Sequence, residues 1–159
     1  MVFATRNPRR LLETRPAVLE DELGRYEERI RSKMDERQKS AYNAHVGVLD
    51  QILQRPVLGS IDGIALATEV RDLIRSPGAG LHHNTHHITV GMFAQRLQEL
   101  VKEEKVGKDE AVVWLHDVQR QARTKISTAL AQAAKARRRA AEGRVAERRV
   151  KVPARAARA

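Results

Sequence analysis

The sequence predicts an all-α protein of about four helices, forming a bundle or open helical array, with a long C-terminal helix running into a basic arm. Three observations lead there. Aromatic residues make up only 3% of the chain, while Ala, Leu, Arg, Glu and Gln are abundant. These unbranched side chains lose little rotamer freedom in a helix. Apolar residues recur at spacings of three and four rather than alternating. Charge is segregated: of 30 Lys and Arg, ten fall in Ala134–Ala159 against two acids, so that stretch carries +8 of the formal net charge of +10. Met1–Arg15 holds four arginines and one acid, and Pro16–Ala133 is balanced at 16 bases and 17 acids. The expected organisation is a basic N-terminal arm (1–15), a helical body (16–133) and a basic Arg/Ala C-terminal arm (134–159).

The first helix is expected over Pro16–Gln54. Pro16 suits a first helical turn, Glu20, Asp21 and Glu22 lie where the helix dipole favours acids, and Arg25, Arg29 and Arg31 follow. Leu19, Leu23, Tyr26, Ile30 and Met34 form one apolar stripe. The stripe fades over the polar Asp35–Ser40, where the helix bends or projects a solvated middle. It returns at Tyr42, Val46, Leu49 and Leu53. The charged face of this helix reads as solvated surface, with a coiled-coil seam as the alternative.

Arg55–Gly59 breaks the chain, and Ser60 is placed to cap a second helix over Ile61–Ser76, with Ile64, Ala67, Val70, Leu73 and Ile74 inward. Pro77, Gly78 and Gly80 end it. A third helix, capped by Thr85 or Thr89, runs to about Lys105 with Met92, Phe93, Leu97, Leu100 and Val101 as its core stripe. Gly107 is expected to supply the left-handed residue of the next turn. Asp109 and Glu110 open the fourth helix, whose stripe is Ala111, Leu115, Val118, Ala122, Ile126, Ala129 and Ala133. Gly143 should weaken it and Pro153 stop it. The third and fourth helices, joined by so short a turn, should pack antiparallel.

Composition also excludes functions. Without cysteine there is no disulfide framework, thiolate nucleophile or Cys-based metal site. The longest apolar run, Ala111–Leu115, is far short of the ~20 residues of a membrane span, so no membrane partner is expected. The arginine-rich, acid-poor N-terminus has the character of a mitochondrial transit peptide, although it is short and contains Pro8. Mitochondrion and cytoplasm are both compatible with it.

Of the chemistry-bearing groups, His82, His83, His86 and His87 in LHHNTHHI stand out. On a helix His82 with His86, and His83 with His87, would lie one turn apart, the spacing at which two imidazoles share a metal. A catalytic zinc would need a third ligand and a carboxylate, and no Asp or Glu occurs between Asp72 and Glu99. Loop and first-turn histidines that cap or hydrogen-bond are the expected role. His45 and His116 are expected at the core boundary, and Trp114 as a core or interface anchor. No nucleophile elbow, Walker motif, dinucleotide fingerprint or calcium loop is present, so no cofactor and no enzymatic activity are expected.

The run Arg96–Ile126, RLQELVKEEKVGKDEAVVWLHDVQRQARTKI, resembles the closing helical hairpin of ribosome recycling factors in its Leu, Lys, acidic-turn and Asp-Val-Gln cadence. That family's β-rich second domain has no room in this chain, and its Arg-Thr-Gly-Arg signature is missing, so the resemblance transfers no function.

The arms carry the functional expectation. Lys135, Arg137, Arg138, Arg139, Arg144, Arg148, Arg149, Lys151, Arg155 and Arg158, helped by Arg6, Arg9 and Arg10, form a polyanion anchor. Guanidinium groups grip phosphate bidentately, and the intervening alanines allow close approach. The expectation is a structural or accessory subunit of a large assembly that contacts protein neighbours through its body and RNA through its arm, as in a ribonucleoprotein such as a ribosome. Three alternatives share the sequence: a viral or chromosomal DNA-packaging component, a helical lattice protein on an acidic filament such as a microtubule, and a metal-binding protein built on the histidine cluster.

Overall fold

A computed structural model describes residues 7–76 and 78–158, with side chains as far as Arg148. Among the described residues there is no strand, and six helices follow in order: α1 (Pro8–Glu13), α2 (Pro16–Arg31), α3 (Glu36–Leu53), α4 (Ser60–Arg75), α5 (Thr85–Lys102) and α6 (Lys108–Arg158). By compactness the chain divides into two units, Met1–Ile126 and Ser127–Ala159.

Six helices replace the expected four for two local reasons. The long first helix is cut at Ser32–Asp35 because Asp35 nucleates a new start. Its carboxylate accepts from the Gln38 backbone N–H at 2.8 Å, and the Gln38 side chain accepts in return from the Asp35 N–H at 3.1 Å. This reciprocal capping box satisfies two donors that a continuous helix would have used differently. The second reason lies in the stretch expected to be a basic arm. There Asn7 accepts from Arg9 N–H at 2.9 Å and Pro8 occupies the first turn, which starts α1. Leu11 of α1 is fully buried. The buried Gln98 amide fastens α1 by donating to the carbonyls of Leu11 (2.8 Å) and Thr14 (2.7 Å).

The first unit is built round α5, which packs against α1, α2, α3 and α4. Every residue from Thr85 to Gly91 is buried, so α5 has no solvated face over its first two turns. A helix covered on all sides must be uncharged there, and this one is. Leu19, Leu23, Tyr26 and Ile30 of α2, Tyr42, Leu49 and Leu53 of α3, and Leu66, Val70 and Ile74 of α4 share one cluster with Ile88, Phe93, Leu97 and Leu100. Ala111, Leu115, Val118 and Ala122 of α6 join it.

Several local expectations are corrected. Gly59, not Ser60, precedes α4, and Ile64 is 53% exposed because the inward face is the one carrying Gly63 and Leu66. Asn84 precedes α5, while Thr85 and Thr89 are buried inside it rather than capping it. α5 stops at Lys102, and Glu104, not Gly107, takes the left-handed conformation (φ 59°). Lys105 N–H bonds the Leu100 carbonyl and Glu104 N–H that of Val101, the paired closure of a Schellman turn. The buried stripe of α6 ends at Ile126; Ala129 is half-buried and Ala133 exposed. His116 is exposed rather than at the core boundary. The helix runs past Gly143 and through Pro153 to Arg158, carried by Ala and Arg, two of the strongest helix formers.

Trp114 anchors the core as expected. A Cβ added at Gly63 would lie 2.6 Å from the Trp114 ring, so the indole is seated where α4 has no side chain.

Candidate functional site

The second unit is helix from Ser127 onward, and it contains no buried residue among those described as far as Arg148. Lys135, Arg137, Arg138, Arg139, Arg144 and Arg148 are all exposed. None of these six takes part in an ion pair among the described residues. Six cations on one helix, with only Glu142 and Glu147 among them and no ion pair formed among the described residues, repel one another, and an external polyanion relieves that repulsion. Arg149, Lys151, Arg155 and Arg158 lie in the same helix, their side chains outside the described set.

The N-terminal arginines divide. Arg6 lies outside the described residues. Arg9 sits 3.9 Å from Asp109, both largely exposed, and Lys108 bonds Glu13 at 2.9 Å. These two pairs tie α1 to the start of α6. The Glu13 carboxyl is held below its ordinary pKa by the Lys108 ammonium. Arg10 is exposed in the last turn of α1.

The histidines form a second group, arranged otherwise than helical spacing suggested. α5 begins only at Thr85, so His82 and His83 precede it; their rings stack at 4.3 Å, and His82 Nδ1 accepts from Asn84 N–H. His86 and His87, in the first turn of α5, are 7% and 4% exposed and diverge. His86 meets the His45 ring edge-on at 6.1 Å, and His87 meets Tyr26 at 5.8 Å. His45 Nε2 shares a 2.8 Å hydrogen bond with Thr89 Oγ1 across the α3–α5 interface. Five of the six histidines thus line one region, and their ring contacts do not follow one-turn spacing. No group of three or more His, Asp or Glu side chains converges as a metal would require among the described residues.

Electrostatically this region disfavours protons. Burial, reinforced by His45, Lys125 and His87, brings the His86 pKa down to about 4. Burial together with His83 and Arg123 does the same for His87, also to about 4. His45 is lowered by burial alone, and His82 and His83 by burial and the nearby Lys33 ammonium. At neutral pH these imidazoles are neutral, aromatic packing groups rather than cations.

Sequence reasoning could not foresee Gln98 as the clamp on α1, or the join between His45 and Thr89, because nothing local marks either. Comparison with protein-family models, with curated proteins and with solved structures finds no match to this chain. No described helix is long and apolar enough to cross a membrane.

Proposed function

We propose that this protein is a non-enzymatic structural or accessory subunit of a large assembly, anchored on RNA by the basic part of α6. The observation that supports this reading is the row of six exposed, unpaired cations at Lys135, Arg137, Arg138, Arg139, Arg144 and Arg148 on the stretch of α6 after Ile126, in which no described residue is buried. Residues that make no core contact and carry net positive charge contribute nothing to folding, so their chemistry is directed outward. Arginine is the better phosphate ligand, because its planar fork donates two parallel hydrogen bonds to one phosphate. Such contacts displace counterions, giving affinity that carries no base information and falls steeply with salt. The body, with its own core, is the part that meets protein neighbours.

The test is truncation after Ala134. Among the described residues no side chain of the hydrophobic core lies beyond Ile126, so the shortened chain should keep its fold and melting behaviour while losing salt-sensitive binding to structured RNA. Binding that survives the truncation refutes the anchoring role. Equal affinity for duplex DNA and RNA would favour DNA packaging instead.

A further inference from the structure

Because α6 is one helix through the whole basic region, its cations take fixed angular positions. At ~100° per residue, Arg137, Arg144 and Arg148 fall within about 40° of one another, and positions 151, 155 and 158 continue the same line. All six lie inside an arc of about 80°, spread over ~32 Å at 1.5 Å per residue. Lys135, Arg138, Arg139 and position 149 lie on the opposite side, about 120° to 220° away from Arg144. Glu142 stands in the middle of that second group, one turn from both Arg138 and Arg139, and Ala140 and Ala133 lie in the first. The first face therefore combines the longer row of cations with small side chains, and its nearest acid, Glu147, is about 60° off the line, whereas the second group has Glu142 in its midst.

We infer that the arm meets RNA with one face only, the stripe of Arg137, Arg144 and Arg148 and its continuation. This rests on the anchoring reading above and says which residues perform it. A stiff helix about 10–12 Å across touches a phosphate backbone along one side. Cations on that side reach phosphate oxygens at hydrogen-bond distance. Those on the far side stand roughly a helix diameter away, about one Debye length at 0.1 M salt, where their attraction is largely screened. Five of the six stripe positions are arginine, and Ala133 and Ala140 between them let the backbone approach the strand.

Two variants of the full chain separate the faces while removing the same charge: R137Q/R144Q/R148Q on the stripe and K135Q/R138Q/R139Q opposite it. Each is titrated against a short RNA duplex of mixed sequence at about 0.15 M salt, with circular dichroism confirming helicity. The stripe variant should lose about a hundred-fold in affinity, and its dependence of log K on log salt should flatten by roughly 0.9 per lost phosphate contact. The opposite-face variant should lose less than about three-fold, a purely screened effect. Equal losses overturn the one-face inference and leave anchoring intact. No loss in either overturns the anchoring reading as well. Competition by polyglutamate as effective as by RNA overturns the assignment of phosphate as the ligand.

Discussion

Acidification offers the sharpest test of the core. His86 and His87 have folded pKa values of about 4 against 6.5 in an unfolded chain. The unfolded state therefore takes up protons first. Stability is complete above 6.5 and is withdrawn as pH falls below it, until the folded state also titrates near 4. By pH 5 each histidine has lost about 2 kcal/mol, from a penalty of 1.36 kcal/mol per pH unit, and the two together about 4 kcal/mol. That is a large share of the ~5–15 kcal/mol that holds a typical domain. Glu13 adds little in this window, because Lys108 holds its carboxyl below the ordinary value of 4.5. Thermal unfolding followed by circular dichroism at pH 7.5 and pH 5 should show Tm falling by about 10 °C. The double variant His86→Gln with His87→Gln should lose a substantial part of that difference, whatever its own stability at pH 7.5, the rest lying with His45, His82 and His83, which burial also lowers. An unchanged Tm in the parent would refute the claim that these rings are buried as neutral groups. Full acid sensitivity in the double variant would assign the effect to other residues.

Four further substitutions probe the backbone. Glu104→Gly should raise stability by about 0.5–1 kcal/mol, seen as a higher urea midpoint, because glycine enters the left-handed conformation at φ 59° without the Cβ penalty. Gly24→Ala and Gly47→Ala, in open helix positions, should each stabilise by about 0.5–1 kcal/mol, whereas Gly63→Ala should destabilise the chain by about 1 kcal/mol or more through collision with Trp114. If all three alanines behaved alike in denaturant titrations, the seating of Trp114 on α4 would be wrong.

Much of this architecture was legible because it is local. Leu19, Leu23, Tyr26 and Ile30 of α2 are buried at every position, as four- and three-residue spacing requires when one face of a helix is dry, and Met34, in the break after α2, is buried as well. The punctuation at Arg55–Gly59 and the start of α6 near Asp109 were legible for the same reason, whereas the first turn of α2 holds no acid and Glu20, Asp21 and Glu22 lie a turn further in. So was the cut at Asp35 in principle, since an Asp followed three residues later by Gln is a capping-box signature. The polar stretch there suggested a bend, and the structure resolves it as a new helix. Pro8 after Asn7 marked α1 equally well, but the arginines around it drew the reading toward an arm.

One signal was present and its meaning was not. Between Arg75 and Arg96 there is no Asp, Glu, Lys or Arg, in a chain that is 31% charged. That gap marks α5 as the helix enclosed by the others. Periodicity could not show it, since a helix buried on every side has no amphipathic stripe to detect.

The sequence by itself determined the helical class, about half of the helix boundaries and the concentration of charge near the C-terminus, because propensity, capping and composition act over a few residues. Only the tertiary structure decided that His45, His86, His87, Thr85 and Thr89 belong to the core, that Gln98 clamps α1, and that Glu104 bears the strained turn. Which polar side chains are buried depends on contacts far apart in the chain, 44 positions for His45 and Thr89 and 87 for Gln98 and Leu11.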